Sequence, residues 1–183
     1  MVQKYDLILL YSGGYDSTLL LKMAIHAGFF PICLLIDYGQ KHVEELEYAK
    51  KMCQKMGVSY FVLKIELNTP SNLTKEARTY EGVSPYHVPA RNLIFIGLAV
   101  SYAEGHDIPL VWYGANYEDR EKLFPDCYQE WVYKINELLV INGSSKVRVE
   151  APLLGMTKDT IKRLAKNFFN INENEIFSGY ERG

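Results

Sequence analysis

Residues 6–28 read DLILLYSGGYDSTLLLKMAIHAG, and this stretch decides the fold class. Asp6 to Leu10 is a short apolar run that stops at a glycine pair, the pattern of a strand buried on both faces. From Ser17 to Ala27 the residues Leu19, Leu20, Met23, Ala24 and Ala27 recur at helical spacing, and Gly28 stops the helix. The chain therefore turns from strand to helix across Tyr11-SGGYD-Ser17. Gly13 and Gly14 can turn their N–H groups inward without a Cβ in the way, forming an anion-binding nest at the start of the helix. Ser12 and Ser17 add hydroxyl donors. Asp16 fits beside an anion only as a ligand of an intervening cation such as Mg²⁺; otherwise it is a helix cap, and the loop a plain connection.

The same alternation continues along the chain. Further strands are expected at Pro31–Asp37, Ser59–Leu67, Pro109–Tyr113 and Val147–Glu150, and further helices at Val43–Met56, Ala90–Gly105, Asp126–Ile141 and Lys158–Phe168, the last with Thr157 as N-cap. Strands alternating with helices imply right-handed crossovers and a doubly wound α/β architecture, a mostly parallel five-stranded sheet with helices on both faces. Ligands in such sheets sit beyond the carboxyl ends of the strands, where the glycine pair lies. Asn68 to Pro89 lacks periodicity and is long for a connection, which marks it as a functional loop.

At 183 residues the chain is expected to form one domain. Lys and Arg number 20 against 22 Asp and Glu, so the net charge of −2 gives no electrostatic footprint for nucleic acid or an acidic membrane. No apolar run approaches a membrane span, and the N-terminal apolar stretch is too short for a signal peptide. Cys33, Cys53 and Cys127 form neither a disulfide framework nor a C-x-x-C pair, which points to a reducing cytoplasm. The amphipathic helices would suit a homo-oligomeric contact as well as a pocket wall.

The glycine loop matches neither G-x-x-x-x-G-K-[ST] nor G-x-G-x-x-G. S-G-G-x-D-S after a first strand instead resembles the pyrophosphate loop of the N-type ATP pyrophosphatases, which bind ATP, adenylate a substrate and release pyrophosphate. Four more segments narrow the resemblance: DYGQKH at Asp37–His42, VPARN at Val88–Asn92, GANYEDREKLFPDC at Gly114–Cys127 and PLLGMTK ending at Lys158. Together they resemble the 7-cyano-7-deazaguanine synthase (QueC, ExsB) family over almost the whole chain. The resemblance implies an adenine nucleotide alpha hydrolase-like fold. It also implies an ATP-dependent ligase that adenylates 7-carboxy-7-deazaguanine, lets ammonia attack, and dehydrates the amide to the nitrile with a second ATP. Other readings are a related ligase with a different amine acceptor and a non-catalytic nucleotide-binding subunit.

By that resemblance Tyr11, Ser12, Gly13, Gly14, Ser17 and Thr18 would hold the nucleotide phosphates, with Mg²⁺ on Asp16 and Lys158 reaching the β and γ groups. Ile36 and Asp37 would lie near adenine and ribose. Arg91 is the candidate to fork onto a carboxylate or acyl-phosphate oxygen, a role suited to guanidinium geometry and at odds with a helix start, where a cation opposes the dipole. Asn92, Gly114, Asn116 and Asp126 would face the deazaguanine; Asp126 reads equally as an N-cap after Pro125. Tyr113, Tyr117, Phe124 and Trp131 are stacking candidates or core residues. Cys127 reads as a buried thiol, and His42 and His87 rank low as catalytic groups. The family also carries a zinc cluster of cysteines after an S-C-Y element. Here the segment reads Phe177-Ser178-Gly179-Tyr180, so neither zinc nor a separate zinc-binding C-terminal domain is expected.

Overall fold

All the strands run the same way. A computed structural model describes residues 4–40, 44–67, 88–121, 124–144, 146–171 and 176. Its sheet has five parallel strands in the order β3-β2-β1-β4-β5. They are β1 (Leu7–Leu10), β2 (Pro31–Asp37), β3 (Ser59–Lys64), β4 (Leu110–Trp112) and β5 (Arg148–Glu150). Leu7 pairs with Pro31 on one side and Leu110 on the other, so the first strand lies at the centre. The chain fills the sheet outward from β1 to β3, then crosses back to place β4 and β5 on the opposite flank. The reversal in strand order opens a crevice between the carboxyl ends of β1 and β4.

Residues on β1 alternate between two cores because successive side chains point to opposite faces. Ile8 joins Leu34, Ile36, Val111 and Val149 beneath α3 (Arg91–Gly105) and α5 (Gln129–Ile141). Leu7 and Leu9 join Cys33, Leu35 and Trp112 beneath α1 (Tyr15–His26), α2 (Glu44–Lys55) and α6 (Lys158–Phe169). Leu7, Ile8, Leu9, Leu19, Leu20 and Leu21 are fully buried, each worth about 1.5–3 kcal/mol of transfer free energy. That burial explains why β1 reads as an unbroken apolar run.

Two elements depart from the sequence reading. The helix expected over Asp126–Ile141 is interrupted: Pro125–Cys127 is a 3-10 turn, Tyr128 is extended (φ −103°, ψ 140°), and α5 starts at Gln129. Tyr128 is therefore the N-cap of α5, which corrects the N-cap reading of Asp126. A short helix, α4 (Tyr117–Glu121), lies where no element was expected. It carries no apolar period, and its first amide, Tyr117 N, donates to Met156 O at 3.1 Å. By contrast α6 begins as expected, with Thr157 Oγ1 accepting from Thr160 N at 3.2 Å. Among the described residues no helix is long and apolar enough to cross a membrane. His42, His87, Gly179 and most of the expected functional loop lie outside the described residues.

Candidate active site

The glycine loop occupies the carboxyl end of β1. Gly13 has φ +79°, and a Cβ there would approach the Cα and Cβ of Ala49 on α2 at 3.2 Å. Both the left-handed backbone and this close approach require glycine. Gly14 N donates to Ser12 Oγ at 3.3 Å, Ser12 Oγ and Ser17 Oγ lie 3.2 Å apart, and Ser17 Oγ donates to Gly14 O at 3.1 Å. These bonds hold the turn at the start of α1, where N–H groups and helix dipole favour an anion. Gly14 is the extended N-cap of α1, and Asp16 lies in its first turn. Tyr11 and Thr18 sit under the loop, both buried, their hydroxyls 3.2 Å apart. Burial pushes the Tyr11 phenol well above its ordinary range. The two residues support the loop from below.

Across the crevice, the segment after β4 closes on Asp16. A Cβ on Gly114 would lie 3.5 Å from the Asp16 Cβ, ordinary contact. Asn116 Nδ2 donates to Asp16 Oδ2 at 2.8 Å and to Asp119 Oδ2 at 2.7 Å, and its Oδ1 accepts from Asp119 N at 3.1 Å, capping α4. Lys158 Nζ lies 3.7 Å from Asp119 Oδ1, while both carboxylate oxygens of Glu118 lie 2.7 Å from Lys158 N at the start of α6. Burial raises the Asp16 carboxyl above its usual range, opposed by the Lys158 charge and the Asn116 hydrogen bond. Asp16, Glu118 and Asp119 thus face one lysine. A polyphosphate entering here needs added positive charge, and among the described residues no group of three or more His, Cys, Asp or Glu residues could hold a metal alone. Mg²⁺ typically takes one or two carboxylates and completes its shell with phosphate oxygens and water, so Asp16 fits a phosphate-borne Mg²⁺.

A second cluster forms where α3 starts. Ala90, its N-cap, is held at φ +54°, a left-handed conformation that costs a residue with a Cβ about 1–3 kcal/mol. Arg91 follows, with Nη1 donating to Tyr38 Oη at 3.4 Å and the guanidinium 5.8 Å from the Tyr38 ring centroid. This docks Arg91 at the carboxyl end of β2, where Asp37 Oδ1 accepts from Gly39 N at 3.3 Å. Ile36 turns into the core. Asn92 Nδ2 donates to Asp126 Oδ2, and the buried Tyr113 hydroxyl donates to Asp126 O at 2.7 Å, anchoring the 3-10 turn. Tyr113 packs against Trp131 as core and offers no open face, whereas Tyr117 is 39% exposed.

Cys127 links the two clusters. Burial raises its thiol, the charges of Asp126, Asp119 and Asp16 add to that, and a hydrogen bond with the Asn116 backbone opposes it. A thiol held protonated in this way is not a nucleophile. The structure therefore gathers Ser12, Gly13, Gly14, Asp16, Ser17, Gly114, Asn116 and Lys158 at the β1/β4 crevice, and Arg91, Asn92 and Asp126 beside it. Sequence reasoning passed over Glu118, Asp119 and Tyr38. Asn116 and Asp119 do stand at the spacing of a helix N-cap and its third residue, a signal that would have marked α4.

A family model described as queuosine biosynthesis protein QueC matches residues 6–183. This chain belongs to the QueC family. The 7-cyano-7-deazaguanine synthase of Pseudoalteromonas atlantica is 36% identical over 168 residues, covering 86% of this chain and 76% of that protein. The synthase of the same name from a Marinomonas species is 33% identical over 187 residues, covering 96% and 85%. Among solved structures, the NH3-dependent NAD synthetase of Campylobacter jejuni superposes with a TM-score of 0.56 at 21% identity, over 97% of this chain and 69% of that one. The U34-tRNA thiolase NcsA of Methanococcus maripaludis, solved with its 4Fe-4S cluster, gives 0.56 at 17% identity over 89% of this chain, which spans 57% of that one. This chain thus shares the fold of these two structures, a five-stranded parallel sheet with helices on both faces.

Proposed function

We propose that this QueC-family chain uses ATP to adenylate the carboxylate of 7-carboxy-7-deazaguanine and delivers the acyl group to ammonia. The supporting observation is the glycine loop at the β1/β4 crevice, with Asp16 tied to Asn116 beside Lys158. In the first step a carboxylate oxygen attacks the α-phosphorus of ATP, forming an acyl adenylate and releasing pyrophosphate. Ammonia then attacks the acyl carbon, AMP leaves, and a proton is lost, giving the 7-amide. In a second round the amide oxygen attacks the α-phosphorus of ATP and pyrophosphate leaves, and the adenylated imidate then loses AMP and both of its N–H protons to yield the nitrile.

The residues divide this work. Loop amides and the Ser12 and Ser17 hydroxyls hold the pyrophosphate, and Lys158 meets the outer phosphates. Mg²⁺ carried on the phosphates would neutralise charge developing on the leaving group, with Asp16 as its protein ligand. Arg91, braced on Tyr38, receives the carboxylate or the acyl-phosphate oxygen. Asp126 and Asn92 supply an acceptor and a donor for the polar edge of the base. Chemistry of this kind rests on positioning and charge stabilisation, which suits a site built from rigid strand ends.

The test is direct. The protein is incubated with ATP, Mg²⁺, ammonium and 7-carboxy-7-deazaguanine while AMP, pyrophosphate and product mass are followed. Nitrile formation with two AMP per product supports the full reaction; one AMP with an amide product restricts it to amidation. AMP release that does not depend on the deazaguanine carboxylate refutes the substrate assignment.

A further inference from the structure

We propose that Asn116 is a positioning residue, locking the carboxylates of Asp16 and Asp119 into one unit, and that it makes no contact with the deazaguanine. Its side chain is fully buried. A side-chain amide has two N–H donors and one carbonyl. Here both donors are committed, one to Asp16 at 2.8 Å and one to Asp119 at 2.7 Å, and the carbonyl accepts from Asp119 N. Flipping the amide would turn its oxygen toward two carboxylates and its NH₂ toward an N–H donor, so the network itself sets this orientation. No donor remains for a base edge or a substrate carboxylate.

The residue type follows from the geometry. Two carboxylates from different elements converge on one nitrogen, and without its N–H groups their mutual repulsion would turn them apart. Aspartate at this position would add a third negative charge, and serine would supply a single donor. Asn116 follows β4 and caps α4, whereas Asp16 lies in the first turn of α1, so the amide bridges the crevice between the two strands. Asp119 in turn lies 3.7 Å from Lys158 Nζ. One buried amide thereby sets the placement of Asp16. Removing a group that orients a metal-binding carboxylate in this way typically costs about 10–100-fold in metal affinity.

This inference rests on the reading of Asp16 as the carboxylate that meets phosphate-borne Mg²⁺, and the test separates the two. ATP binding to the full chain is measured by calorimetry with Mg²⁺ and again with EDTA, for the native protein, Asn116→Ala, Asn116→Ser and Asp16→Ala, with the melting temperature of each. In the Asn116 variants the gain in affinity brought by Mg²⁺ is expected to fall about tenfold or more, with metal-free ATP affinity nearly unchanged because the glycine loop is intact. The KM for 7-carboxy-7-deazaguanine stays near the native value. Asn116→Ser, which retains one donor, falls between. Equal losses with and without Mg²⁺, or no loss in either, would overturn the proposal, as would a selective rise in the deazaguanine KM. If Asn116→Ala unfolds, the serine variant carries the test. If Asp16→Ala keeps the full Mg²⁺ effect, the reading of Asp16 fails; if Asp16→Ala loses it and the Asn116 variants do not, only the positioning role fails.

Discussion

Replacing Gly13 by alanine examines whether the loop conformation and its packing on α2 are both required. The backbone at Gly13 has φ +79°, a region that costs a residue with a Cβ about 1–2 kcal/mol. The new methyl would also meet Ala49 Cα and Cβ at 3.2 Å and Ala49 N at 3.3 Å. Two of those atoms are backbone of α2, so no side-chain rotation relieves the contact, and overpacking of this kind costs roughly 1–3 kcal/mol more. Gly28 supplies the control, with φ +86° and no atom within 4 Å of a built Cβ. Gly28→Ala should therefore lose only the backbone part, about 1–2 kcal/mol, and Gly13→Ala about 2–5 kcal/mol. Urea denaturation of both variants measures the difference. Calorimetric titration with ATP should show Gly13→Ala weakened and Gly28→Ala unchanged. Equal destabilisation of the two variants, or native ATP affinity in Gly13→Ala, would refute the reasoning that α2 shapes the glycine loop and that the loop meets ATP.

Arg91→Lys keeps the charge but loses the planar fork and its seat on Tyr38, so the KM for 7-carboxy-7-deazaguanine should rise about tenfold with the KM for ATP nearly unchanged in steady-state assays. Glu118→Gln removes the charged acceptor at the start of α6 and should lower stability by about 0.5–1 kcal/mol, read from chemical denaturation at low salt. Burial raises the Cys33 and Cys127 thiols well above the ordinary range, so the thiolate fraction at pH 8 is lower than for a free cysteine. Iodoacetamide should accordingly leave both unmodified in the folded protein and label them in urea, as mass spectrometry would show. Selective labelling of native Cys127 would contradict its protonated, buried state.

The parts of the fold that were legible from residues share one physical origin. Leu7 to Leu10 and Pro31 to Asp37 read as strands because burial on two faces demands an unbroken apolar run. Thr157 read as a helix cap because its hydroxyl bonds an amide three residues away, an interaction local in the chain. Gly13 was legible for the same reason, since a left-handed turn at a strand end leaves its mark in the residue type itself, whereas Gly14 is extended at φ −75°. The segments VPARN and PLLGMTK carried the family resemblance, and the match over residues 6–183 agrees with it.

The elements that were misread are held by distant partners. Amphipathic spacing runs through Asp126 to Ile141 without a break, yet the backbone extends at Tyr128, and the preceding turn is pinned by Tyr113, which follows β4. The five residues of α4 have no apolar face, and their support comes from the Asn116 cap and from Met156 O near the start of α6. By itself, then, the sequence determined an alternating parallel α/β fold and a glycine turn after its first strand, since burial and turn geometry act over a few residues. Only the tertiary structure decided what that loop faces. Asp16 and Asn116 lie 100 residues apart and meet because β4 inserts beside β1. That strand order is set by the packing of whole layers, and no local pattern of residues records it.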